Sequence, residues 1–130
     1  MPKILIIDDD KLVRESTQIL LRSKGYDVVV APDGKAGLEQ AQSATFDLAI
    51  VDLFMPGMDG LQVIKALHES RPDLPLIAAS GFMFSSDSGR PDMPEFENMA
   101  AEAGAVSTLY KPLRPKEVLS AVEKAIGVTV

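Results

Sequence analysis

Short apolar or β-branched runs begin near residues 4, 28, 48, 76 and 106 of this 130-residue chain, at intervals of 24, 20, 28 and 30. Each interval holds one strand and one helix, and each run has the length of a strand buried on both faces. Between the runs the apolar period changes. Leu12, Val13, Ile19 and Leu20 recur at helical spacing, as do Ala36, Leu38 and Ala41, then Leu61, Ile64 and Leu67, and finally Val118, Leu119, Val122 and Ile126. These stripes are expected to face the core. Asp33 and Asp59 suit helix N-caps, with Gln62 completing a capping-box pattern after Asp59; Pro115 suits a first helical position, and Gly25 and Gly104 read as stops. The alternation predicts an α/β fold: five parallel strands with right-handed crossovers in a doubly wound three-layer sandwich. Ligands of such folds bind beyond the carboxyl ends of the strands.

One stretch breaks the rhythm. From Phe82 to Pro94 the chain is rich in turn formers and carries no helical stripe, which predicts a long irregular loop at about 82–94 and a fourth helix starting late, near Pro94 or Glu95. A loop of this length suits a lid, a partner surface or an order–disorder switch, or else a tolerated surface insertion.

The length gives one domain, residues 1–130, and 46% apolar residues are enough to fill one core. A formal charge of −6 without a basic stripe argues against a direct nucleic-acid partner. No cysteine is present and His68 is the lone histidine, so disulfides, thiolate chemistry and histidine metal sites are excluded; a metal here must be hard and oxygen-bound. No run approaches membrane-spanning length and no signal-peptide pattern opens the chain, so a cytoplasmic location and no membrane partner are expected. His68 is expected at the surface, and the methionines as core filler.

The charged residues then fall at one edge. Leu48-Ala49-Ile50-Val51 ends in Asp52, which opens the turn Phe54-Met55-Pro56-Gly57-Met58-Asp59-Gly60; Ile4-Leu5-Ile6-Ile7 ends in Asp8-Asp9-Asp10; the last run leads to Tyr110-Lys111-Pro112. If the three strands are neighbours, several carboxylates and one ammonium meet in a pocket suited to a divalent cation and a phosphoryl group. A plainer use for Asp9 or Asp10 is to cap the first helix.

With Asp8 and Asp9 after strand one, Asp52 before the Met-Pro-Gly-Met-Asp-Gly turn, Ser80 after strand four and Lys111-Pro112 after strand five, the chain resembles the receiver domains of two-component response regulators, close to the single-domain chemotaxis type. The resemblance implies a flavodoxin-like (βα)5 fold with strand order 2-1-3-4-5. It implies that Asp52 is the phosphoacceptor, taking a phosphoryl group from a phosphohistidine of a sensor kinase or phosphotransfer protein. It implies Mg2+ held by Asp9, Asp52 and the backbone carbonyl of Phe54, with Asp8 holding a metal-bound water. Lys111 would pair with Asp52 and then with the phosphoryl group, after a cis peptide to Pro112. Ser80 would donate its hydroxyl to the phosphoryl oxygen, and an altered surface would signal to a downstream protein. The first helix, from Lys11 and Leu12, is the implied kinase-docking surface. Such a protein promotes its own phosphorylation and dephosphorylation and is a signalling protein, not an enzyme acting on other substrates.

The chain departs from the family pattern where an aromatic residue usually stands three before the lysine. Thr108 occupies that place, and Tyr110, on the same strand face, is the candidate substitute. Phe54 and Phe82 stand two residues after Asp52 and Ser80, where they are expected to exclude water and prolong the acyl phosphate. Two rival functions remain: a phosphorylation-independent interaction module on the same fold, and a haloacid-dehalogenase-like phosphohydrolase with Asp8 as nucleophile and Asp10 as acid/base. The second lacks the Thr or Val expected at Leu12 and an acidic pair after Lys111.

Overall fold

The computed structural model describes residues 2–55, 59–81 and 93–127. Five strands, β1 (Lys3–Ile7), β2 (Asp27–Ala31), β3 (Leu48–Asp52), β4 (Leu76–Ser80) and β5 (Ser107–Tyr110), alternate with α1 (Lys11–Ser23), α2 (Gly34–Ser43), α3 (Gly60–Ser70), α4 (Met93–Ala103) and α5 (Pro115–Ile126). All pairings are parallel, in the order β2-β1-β3-β4-β5. The three inner strands explain the sequence pattern. β3 and β4 are buried along their whole length, as is β1 from Ile4, because helices cover both faces of a parallel sheet. Leu5, Ile7, Ala49, Val51, Leu76 and Ala78 pack on one side with residues of α2, α3 and α4, whereas Ile4, Ile6, Leu48, Ile50 and Ile77 pack on the other with α1 and α5. The edge strand β5 is the shortest, and only Leu109 of it is buried.

The helix ends follow from local chemistry. Asp33 and Asp59 cap α2 and α3, accepting from the Ala36 and Gln62 amides, and Pro115 opens α5. Gly25 and Gly104 have positive φ just beyond α1 and α4. Gly60 has a different task. A β-carbon there would collide with the Asp52 carbonyl and the Leu53 backbone, so only glycine lets α3 begin directly against the end of β3. Its amide donates to the Leu53 carbonyl at 3.1 Å.

Three expectations are corrected. Leu12 and Ile19 of α1 do not face the core: they are 74% and 69% exposed, and Thr17 and Leu21 supply the buried face instead. Positions 12 and 19 lie about 100° around the helix from 13 and 20, so the four residues span two faces and only one can be inward. α4 starts at Met93, so Met93 and Pro94 belong to the helix and not to the loop; residues 82–92 lie outside the described residues. Met55 is core, but Met99 is substantially exposed. His68 is exposed as expected, with its ring packed toward Gly104.

Candidate functional site

Parallel register brings the strand ends together. Ile7 pairs with Val51, Asp52 with Ala79, and Ser80 with Tyr110, so Asp8 emerges beside Asp52 and Lys111 just beyond Tyr110. Carboxylate oxygens of Asp8, Asp9 and Asp52 lie within 4.8 Å of one another. Asp52 and Asp8 are each 2% exposed, whereas Asp9 is open to solvent. The Lys111 ammonium reaches Asp8 at 2.8 Å and Asp52 at 3.4 Å. The Lys111 amide donates to the Ser80 carbonyl at 2.9 Å, and the peptide to Pro112 is cis, as the resemblance implied.

The electrostatics follow from this crowding. Burial, and then the charge of Asp8, push the Asp52 carboxyl up to about 7, against the pull of Lys111 and the Phe54 amide. The Phe54 N–H donates to Asp52 at 3.1 Å, and the nearby Asp9 carboxyl adds slightly to the upward push on Asp52. For Lys111, burial works against the charge, but the hydrogen bond to Asp8 and the charge of Asp52 outweigh it and hold the ammonium above its ordinary value. A cluster of carboxylates with oxygen donors alone fits a hard divalent cation of the Mg2+ class.

Asp8 is tied on all sides. Its amide donates to the Ala31 carbonyl at 3.1 Å, one carboxylate oxygen accepts from the Asp10 amide at 2.9 Å, the other meets Lys111, and its carbonyl accepts from the Arg14 guanidinium at 2.8 Å. Asp10 turns away and caps α1, accepting from the Leu12 and Val13 amides, so the plain capping role falls to Asp10 and the acid/base role of the hydrolase reading loses its residue. The other side of the site differs. The Ser80 and Tyr110 hydroxyls are both buried without a hydrogen-bond partner among the described residues. Thr108 is half-buried two residues further down β5, beside Ala78, and borders a groove of about 750 Å³ between β5 and α5, away from the acidic cluster. Phe54 is partly exposed at the rim; Pro56 to Met58 and Phe82 lie outside the described residues.

Sequence reasoning missed Arg14 and the close approach at Gly60. A signal existed for the first: side chains lean toward a helix N-terminus, so a long cation in the first turn of α1 points back to the end of β1.

The family model for the response regulator receiver domain matches residues 4–123. The chain is 31% identical over 122 residues to the alkaline phosphatase synthesis transcriptional regulatory protein PhoP of Bacillus subtilis, covering 93% of this chain and 47% of that protein. It spans about half the length of the curated relatives it matches. Among solved structures, a CheY-like receiver domain protein from Methanospirillum hungatei superposes with a TM-score of 0.85 at 28% identity, covering 98% of this chain and 94% of that one. Chemotaxis protein CheY4 of Vibrio cholerae gives 0.82 at 29%, covering 96% and 98%.

Proposed function

The chain belongs to the response regulator receiver domain family of two-component signalling, and we propose that Asp52 is its phosphoacceptor, charged by a phosphohistidine of a sensor kinase or phosphotransfer protein. The observation that carries this reading is a carboxylate buried at a strand end between two further carboxylates and one ammonium. An Asp52 oxygen forms the bond to phosphorus as the phosphorus–nitrogen bond breaks, and the electron pair passes to the imidazole of the donor. Asp9, Asp52 and the Phe54 carbonyl would hold Mg2+, with Asp8 holding a metal-bound water. Held there, a cation would neutralise the carboxylates, so that an anionic nucleophile could approach an anionic phosphoryl group. Lys111, already between Asp8 and Asp52, supplies a point charge for a phosphoryl oxygen.

The output rests on the two unpartnered hydroxyls. A buried hydroxyl without a partner is costly, and a phosphoryl group on Asp52 offers Ser80 an acceptor. Movement of Ser80 toward it draws the chain after β4 inward, and Tyr110, its register partner on β5, responds in the place of the aromatic residue missing at Thr108. Phe54 and Phe82 would shield the acyl phosphate from water. A downstream protein reads the altered face, from a cytoplasmic location and without direct nucleic-acid or membrane contact; no described helix is long and apolar enough to cross a membrane. Leu12 and Ile19, exposed one above the other on α1, supply an apolar surface for the phosphodonor beside the site. The domain promotes its own phosphorylation and dephosphorylation and acts as a signalling protein.

The test is intact mass with site mapping after incubation with Mg2+ and a small acyl-phosphate donor. One adduct on Asp52, absent without metal and in Asp52→Asn, is expected. An adduct on Asp8 would restore the hydrolase reading, and no adduct with any donor, phosphohistidine proteins included, would leave the phosphorylation-independent module.

A further inference from the structure

Of the four bonds that fix Asp8, one holds its carbonyl: Arg14, on the first turn of α1, donates from its guanidinium to that oxygen at 2.8 Å. That carbonyl belongs to the peptide joining Asp8 to Asp9. A peptide is planar, so holding its oxygen restrains both the last torsion of Asp8 and the first torsion of Asp9, and thus the path of the turn from Asp8 to Asp9. A different setting of these torsions would redirect the turn that carries the exposed Asp9 carboxylate toward Asp8 and Asp52. The Asp8 amide bond lies before the peptide and the cap of Asp10 on α1 lies after it. The Asp10 amide closes over the peptide onto the Asp8 carboxylate, and Arg14 holds the peptide oxygen itself.

We infer that Arg14 is a positioning residue for divalent-cation binding: it orients the Asp8–Asp9 peptide so that the two carboxylates converge with Asp52. The inference rests on the receiver reading and extends it to a residue that touches neither phosphoryl group nor cation. It also makes a prediction opposite in sign to simple electrostatics. Arg14 carries a positive charge close to the cluster, so if charge alone mattered, its removal would strengthen cation binding. If orientation matters, removal weakens it.

The experiment measures melting temperature against Mg2+ concentration for wild type, Arg14→Met and Arg14→Lys, together with the rate of acyl-phosphate labelling at low and saturating Mg2+. Ligand linkage converts the melting shifts into an apparent affinity independent of phosphorylation. Arg14→Met, which keeps an apolar stem but no donor, is expected to need about tenfold more Mg2+, the usual scale for loss of an outer-shell partner. Its labelling rate should fall at low Mg2+ and return to near the wild-type value at saturation. Arg14→Lys keeps charge and one donor group and should recover part of the affinity. Unchanged or tighter Mg2+ binding in Arg14→Met, or a lower metal-free melting temperature as the sole effect, overturns the inference. Should Arg14→Met not fold, an Arg14→Lys affinity equal to wild type would overturn it, and a severalfold loss would support it. A wild type that neither binds Mg2+ nor becomes labelled would instead overturn the receiver reading, and this inference with it.

Discussion

On the β1 side of the site each backbone and carboxylate group of Asp8 has a partner, whereas on the β4–β5 side the Ser80 and Tyr110 hydroxyls are buried without one among the described residues. The same sheet edge is therefore finished on one flank and unfinished on the other. The bonded flank holds its geometry before any ligand arrives, which lowers the reorganisation that binding would require. The unbonded flank has free energy still to gain, and a new acceptor on Asp52 would release it. In the proposed function, recognition and response would fall on opposite sides of one aspartate.

Replacing the residue between them should have the largest effect. Asp52→Asn is expected to abolish the phosphoryl adduct, as intact mass would report, while leaving the fold in place. The same variant tests the charge balance. Asp52 is pushed up to about 7 from an ordinary 3.8, so between those values the folded protein holds more protons than the unfolded chain. Its contribution to stability is fully present below pH 3.8 and is lost as pH rises through about 7. Metal-free Asp52→Asn should therefore melt above wild type at pH 8, by roughly 5 °C, and the difference should shrink toward pH 4.

Lys111→Met comes next. It leaves Asp8 and Asp52 without their shared ammonium, and a loss of about 2 kcal/mol in metal-free stability is expected at pH 8, recovered in part by Mg2+. Urea unfolding with and without the cation would measure both. Acyl-phosphate labelling should slow by roughly tenfold or more.

On the unfinished flank the signs invert. Ser80→Ala removes a buried hydroxyl that has no partner among the described residues, so unfolding should be unchanged or shifted up by about 1 kcal/mol, while tyrosine fluorescence should no longer differ between phosphorylated and unphosphorylated protein. A clear destabilisation would contradict the orphan state of that hydroxyl. The smallest change is expected from Tyr110→Phe: stability within about 0.5 kcal/mol, and a weaker difference in tyrosine fluorescence between labelled and unlabelled protein.

Much of this was legible in the sequence, for reasons that differ by residue. Strands buried on both faces leave unbroken apolar runs, so their starts were readable to within about one residue, and a charge at the end of such a run has few structural uses. That marked Asp8, Asp52 and Lys111. The outward face of α1 was not readable, because Leu12 and Ile19 carry the same apolar signature as core residues while the inward Thr17 is polar. Arg14 escaped because its bond goes to a backbone carbonyl, an acceptor that every residue has. The absence of partners at Ser80 and Tyr110 is a property of packing and leaves no mark in a sequence.

The edge position of β5 has a consequence for how the site comes apart. Asp8 follows β1 and Asp52 ends β3, inner strands each paired on both sides, while Lys111 follows a four-residue strand paired on one side only. Amides of β1 and β3 should accordingly exchange with deuterium only through global unfolding, and those of β5 through a cheaper local opening. The ammonium can thus detach while the acids stay in place, so the counter-charge of the cluster is held on a shorter thermodynamic leash than the cluster itself.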